Sequence, residues 1–196
     1  MQNKRCQAIK IKVHTMNKRE FYICDDKLFC LQDGRTEEVT EKDHPLIEEI
    51  LGRIETYYPE AMKALNECYA KSSLNCMYYN FLRVRRFLKC NFGELDTKDH
   101  DDSDGVFNFE KIACPLRGEC KYENVICMPR FNSTLSDAEL RVMKLYYQNE
   151  SIDRIADNLY LSGNTVRNHI KASFRKLGIH SQAEFITYAN RNHLFD

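Results

Sequence analysis

Residues 151–177, SIDRIADNLYLSGNTVRNHIKASFRKL, decide the architecture of the last third of this chain. Ile152, Ile155 and Leu159 recur at helical spacing, and Val166, Ile170, Phe174 and Leu177 do so again after a short break. Ser151 is an N-cap candidate for the first run and Ser162 for the second, although Thr165 stands where a reciprocal acid would close a capping box. Gly178 supplies a residue for the left-handed turn that ends the second run. Two short amphipathic helices joined at Tyr160-Leu161 make a helix-turn-helix, whose second helix, 163–177, is of the kind that lies in a DNA major groove. Its outward face carries Arg167, Asn168, Lys171, Arg175 and Lys176. Arg and Asn can each form paired hydrogen bonds with purine edges, and Lys brings charge to guanine or phosphate. Ser162 and Thr165, at the helix start, are expected to meet a phosphate together with backbone amides.

Working outward, Ser136 followed three residues later by Glu139 is a capping box, and Ser181 with Glu184 predicts another. Leu135, Val142 and Tyr146 continue the helical apolar spacing upstream. The stretch 133–196 therefore predicts an all-α unit of four helices. Its charge is nearly balanced, with eight Lys and Arg against seven Asp and Glu, but the positive residues gather on the second helix of the pair.

These residues resemble the LuxR-type (GerE-type) DNA-binding domain of bacterial transcription regulators. The matching pieces are LS-x-x-E at Leu135–Glu139, IA-x-x-L at Ile155–Leu159 and LS-x-x-TV-x-x-HI at Leu161–Ile170. KLGIHS at Lys176–Ser181 and the later AEF and YA complete the set, over about 60 of 196 residues. The resemblance implies that Arg167, Asn168 and Lys171 face bases or phosphates, and that the helix over Gln182–Asn192 makes a dimer contact. Two positions depart from the pattern: Asn149 where Gly is common, and Gln182 where Arg is common. Asn tolerates the left-handed backbone region.

The whole chain bounds the rest. Its 196 residues suffice for one or two domains with a real core, and 29 Lys and Arg balance 29 Asp and Glu. Zero net charge predicts that nucleic-acid affinity comes from local patches. The opening MQNKRCQAIKIK has no apolar core of a secretory signal, and no run approaches a membrane span. A reducing cytoplasm is the expected setting, where nine cysteines are thiols or metal ligands rather than disulfides.

Residues 7–40 predict a small antiparallel sheet of about three strands, with 8–13, Phe21–Cys24 and Leu28–Leu31 as strands and Asp25-Asp26-Lys27 as a hairpin turn. There are too few βα units here for a phosphate-receiver domain. From His44 to Cys90 the pattern is helical. Leu46, Ile47, Ile50, Leu51 and Ile54 form one stripe, and Pro59 suits the first turn of a second helix reaching about Ala70. A third helix starting at Ser72 or Ser73 would carry Leu74, Met77, Tyr78, Phe81, Leu82, Arg85 and Leu88 along one stripe. The dense aromatic residues there predict core packing or a dimer face before a ligand pocket. Arg83, Arg85, Arg86 and Lys89 predict a solvated basic face, and the acidic run Asp96–Gly105 a solvated loop. That run is no EF-hand, since Lys111 and His100 occupy two of the ligand positions.

Cys114, Cys120 and Cys127 fall within 14 residues, CPLRGECKYENVIC, and Cys90 precedes the acidic run. Four thiolates could close around one ion, the usual structural zinc site; an iron–sulfur cluster or unligated thiols are the other readings. The spacing is looser than that of paired CxxC motifs. Cys6, Cys24, Cys30, Cys68 and Cys76 lie in apolar patterns that predict buried thiols. No phosphate loop, Gly-x-Ser-x-Gly, HExxH or CxxC motif is present, so no enzyme is expected.

The resulting expectation is an α+β protein in three parts: 1–89, a sensing or dimerising region; 90–130, a cysteine-rich zinc module and linker; and 133–196, the helix-turn-helix domain. It would be a cytoplasmic bacterial transcriptional regulator binding double-stranded DNA as a homodimer, with RNA polymerase a further candidate partner and no membrane association. The alternatives are a metal- or redox-sensing regulator with an iron–sulfur cluster, and a zinc-binding protein-interaction adaptor that binds no DNA.

Overall fold

Asp25 and Asp26 both take left-handed backbone angles, φ 48° and 61°, and turn the chain between its first two described strands. This is the two-residue hairpin geometry whose twist matches that of paired strands. A computed structural model describes residues 18–93, 95, 100–103 and 105–195. The expected strand at 8–13 lies outside them. Strands β1 (Lys18–Cys24), β2 (Lys27–Gln32) and β3 (Arg35–Val39) form an antiparallel meander, with Cys24 opposite Lys27 at the turn and Phe21 opposite Cys30.

The sheet is wider than the sequence suggests. Two short strands, β4 (Asp102–Ser103) and β5 (Val106–Phe107), extend it on the far side of β1, giving the order β3-β2-β1-β4-β5. The described part of the acidic run is therefore not a solvated loop. Asp101 and Asp102 are buried, at 0% and 1% exposure. Asp101 accepts the Phe21 amide at 2.6 Å, and Asp102 takes Arg53 at 2.7 Å and Arg19 at 3.2 Å. Arg19 also bonds both carboxylate oxygens of Glu49, at 2.8 and 2.9 Å. Buried carboxylates persist only when paired in this way.

Helices α1 (His44–Tyr57) and α2 (Pro59–Cys68) each carry a proline in the first turn, where its missing amide costs no hydrogen bond. The α1 stripe is confirmed in Ile47, Ile50, Leu51 and Ile54, which are buried, with Leu46 at the margin. Helix α3 (Cys76–Asn91) starts later than the sequence reading placed it, because Asn75 caps it by accepting the Tyr78 amide. Its stripe also differs, except at Leu88. Val84, Phe87 and Leu88 face the core, whereas Leu74 lies outside the helix at 94% exposure, and Met77 and Tyr78 are largely exposed. Phe21, Tyr58, Phe87, Phe92, Phe107 and Phe109 stack with centroids 5.2–6.2 Å apart, joining sheet to helices.

The basic residues of α3 are engaged rather than solvated. Arg83 is buried and bonds Asn66 and Asn80, at 2.7 and 2.5 Å. Arg85 and Lys89 both reach the hairpin turn at Asp26, at 2.6 and 3.0 Å; the Lys89 hydrogen bond, then the charge and hydrogen bond of Arg85, hold its carboxyl below the usual carboxylate range. Arg86 points to Cys120.

The chain divides into two compact units, Met1–Arg130 and Phe131–Asp196, with the segment 90–130 in the first. The second holds α4 (Asp137–Tyr147), α5 (Ile152–Leu159), α6 (Gly163–Leu177) and α7 (Gln182–Arg191) around Val142, Met143, Ile155, Val166 and Phe185, each 0% exposed. Among the described residues no helix is long and apolar enough to cross a membrane.

Candidate nucleic-acid interface

The turn between α5 and α6 is set by two residues. Tyr160 takes φ 55° and ends α5, its amide donating to Ala156 and Asp157 carbonyls, and Ser162 caps α6 by accepting the Thr165 amide at 3.1 Å. The hydroxyls of Ser162 and Thr165 also share a hydrogen bond of 2.8 Å, the place a glutamate would take in a full capping box. Val166, Ile170 and Ser173 turn α6 into the core.

That anchoring leaves one side of α6 outward. Arg167, Asn168, Lys171, Arg175 and Lys176 are all exposed, as is Ser162, while Thr165 is half-buried. Positions 164, 167, 168, 171 and 175 follow helical spacing, so they share one face. Asn164, which the sequence reading passed over, accepts from Arg167 Nη1 at 3.1 Å and so restrains the guanidinium along that face. Its position three residues before Arg167 was a visible signal. Tyr160, expected only as part of the connection between the two helices, is 96% exposed beside the turn, and exposure at a turn leaves no sequence pattern.

Lys176 stands apart from the others. Its ammonium lies 2.6 Å from Glu139 Oε2, which belongs to the capping box of α4. Hydrogen bonding from Lys176, then from the Ser136 amide, pulls the Glu139 carboxyl down to about 2. The expected box at Ser181 is altered: Ser181 does accept the Glu184 amide, but Glu184 Oε2 returns to the His180 amide at 2.9 Å. Gly178 ends α6 at φ 68°, as its position suggests.

The two departures from the LuxR pattern both find a local use. Asn149 adopts φ 61°, the left-handed angle for which glycine would serve, and its side-chain oxygen accepts from Gln182 at 3.2 Å. Gln182 also donates to the Tyr146 carbonyl at 3.1 Å, tying the start of α7 to the end of α4. On α7, Phe185 and Ala189 enter the core, whereas Ala183 and Thr187 are exposed.

In the first unit, the four cysteines of the expected metal module lie in one neighbourhood. Burial pushes the Cys90 thiol up, Arg86 opposes this, and the charges of Cys127, Cys114 and Cys120 all add to it. Among the described residues, however, no three His, Cys, Asp or Glu side chains are placed to hold a metal ion. The expectation of buried thiols elsewhere holds for Cys30, whose pKa burial drives to about 12. It fails for Cys24 and Cys68, which are exposed at element ends, and for Cys76, which is half-buried and disulfide-bonded, against the expectation that no cysteine forms a disulfide; Cys6 lies outside the described residues.

Residues 133–189 match the model of the family described as bacterial regulatory proteins, luxR family. No curated protein and no solved structure matches the chain. The C-terminal unit is thus a LuxR-type helix-turn-helix domain, and the match supports a DNA-binding transcription regulator.

Proposed function

We propose that this chain regulates transcription by reading the major groove with α6, as a homodimer on two related half-sites. The observation that carries the reading is the exposed face of α6, where Asn164, Arg167, Asn168, Lys171 and Arg175 sit together on a helix whose other side is fixed in the core. Arg167 and Asn168 are the base readers, and Lys171 and Arg175 supply phosphate contacts that set register. Lys176 is held by Glu139 and contributes mainly to the long-range field. Ser162 and Thr165 present the α6 N-terminus to a phosphate. Pairing of two α7 helices through Ala183 and Thr187 would place two α6 helices about one helical turn of DNA apart.

The experiment is selection of genomic fragments on the full-length protein at near-physiological salt, followed by sequencing. Enrichment of one motif with two-fold symmetry supports the reading. Retention of no DNA, or of DNA without sequence preference, overturns it.

A further inference from the structure

Residues 111–130 keep their shape with almost no apolar core of their own. Within them only Ile126 and Pro129 are buried. The backbone runs through successive turns, with Arg117 donating to the Cys114 carbonyl at 3.2 Å, Cys120 to Leu116 at 2.9 Å and Glu123 to Cys120 at 3.0 Å. Gly118, Asn124 and Met128 all take positive φ, at 88°, 56° and 49°. A small segment with so little buried apolar surface needs another source of order, and a bound ion is the common one.

The end of α3 fixes where this segment sits. Asn91, 0% exposed, donates to the Ile126 carbonyl at 2.9 Å and accepts the Met128 amide at 2.7 Å. Those bonds flank Cys127 on the loop and adjoin Cys90 on the helix, so the two stretches of chain that carry them are held together. Arg86, one turn before Cys90 on the same side of α3, reaches towards Cys120 and so brings that part of the loop to the end of the helix. Two sulfurs already receive N–H donors: Asn124 donates its amide to Cys127 Sγ at 3.4 Å, and Arg86 points a guanidinium nitrogen at Cys120 Sγ, 3.9 Å away. Donors of this kind offset the negative charge of metal thiolates and orient them.

We propose that Cys90, Cys114, Cys120 and Cys127 close around a single zinc ion, which organises the segment 111–130 against the end of α3. Each thiol gives its proton to solvent as it binds, and four thiolates complete a tetrahedral shell. Arg86 is the positioning residue that balances part of the resulting charge. The described side chains do not yet form that shell, so closure requires the sulfurs to turn inward; Cys114, on an exposed turn, has the freedom to do so. Zinc suits the site better than a redox cluster because Cys114 is exposed and the other three are only half-buried, leaving no apolar shield around the sulfurs.

The test is elemental analysis of the full chain purified without added metal, followed by cobalt(II) exchange. About one zinc per chain, and a sulfur-to-cobalt charge-transfer band with tetrahedral visible absorption, is the expected result. Cys114→Ser and Cys120→Ser should each lower zinc affinity at least about tenfold, and Arg86→Gln should weaken it roughly tenfold. Cys24→Ser and Cys68→Ser should leave zinc content unchanged. If Cys120→Ser fails to fold, Cys114→Ser decides, because its side chain fills no core position. Absence of zinc overturns the proposal, as does iron with acid-labile sulfide, or a zinc affinity that is unchanged in Cys114→Ser. None of these outcomes depends on whether the second unit binds DNA.

Discussion

Lys176 Nζ and Glu139 Oε2 lie 2.6 Å apart, and the same carboxylate oxygen accepts the Ser136 amide at 2.7 Å. One buried oxygen thus joins the last turn of α6 to the first turn of α4. The helix proposed to face DNA is positioned by the cap of α4, through a residue 37 positions earlier in the chain.

This junction makes the stability of the C-terminal unit depend on pH in a defined direction. The Glu139 carboxyl is lowered from 4.5 to about 2 on folding. Its stabilisation is fully present above the unfolded value and is lost as pH falls from about 4.5 towards 2. Urea unfolding across that range should show a falling midpoint in the native chain and a flatter profile in Glu139→Gln. At neutral pH, Glu139→Ala should cost roughly 1–2 kcal/mol from loss of the cap.

Arg167→Ala should weaken specific DNA binding by about 1–3 kcal/mol and relax preference at one base position. Lys171→Ala should weaken binding more evenly across sequences and reduce the slope of log affinity against log salt by about one. Fluorescence anisotropy at several salt concentrations separates the two. Unchanged affinity in both variants would show that another surface meets DNA.

On α7, Ala183→Glu should raise the dimer dissociation constant by more than about tenfold while leaving the helix content intact. An acid at that early helical position agrees with the helix dipole, so the fold itself has no reason to weaken. Sedimentation of the native chain as a monomer both free and on DNA would rule out paired half-sites.

Asn91→Ala should destabilise the first unit by roughly 2–4 kcal/mol, because it leaves the Ile126 carbonyl and the Met128 amide without their partner in a buried place. Hydrogen exchange should report the loss most strongly at Met128 and its neighbours.

The C-terminal unit was legible because its information is local: serines at helix starts, glycine at a helix end and an apolar period that never wavers between Val166 and Leu177. The hairpin at Asp25-Asp26 was legible for the same reason. The outer strands β4 and β5 were not, since each is two residues long and β4 lies in an acidic run of a kind that is normally solvated. What buries Asp102 is Arg19, 83 residues away, and Arg53, 49 residues away. Likewise, Lys89 meets Asp26 across 63 residues. Charges that pair only in the folded chain leave no periodic trace. On α3 the misread stripe has another cause: aromatic and aliphatic residues occupy several faces, and the cap at Asn75 removes Leu74 from the helix altogether.

The pairing of Ser162 with Thr165 sets a trade between robustness and grip. Helices α4, α5 and α7 each begin with an acid in the first turn, Asp137 and Glu139, Asp153, and Glu184, whereas α6 begins with none. Its positive pole is closed by two hydroxyls and stays electrically open to an anion. Thr165→Glu would complete the box and should firm up the helix by up to about 1 kcal/mol. The same carboxylate would face the phosphates it displaces, so the steadier protein should be the poorer DNA binder. On the proposed reading, the entrance of α6 forgoes part of its own best cap and stays hospitable to nucleic acid.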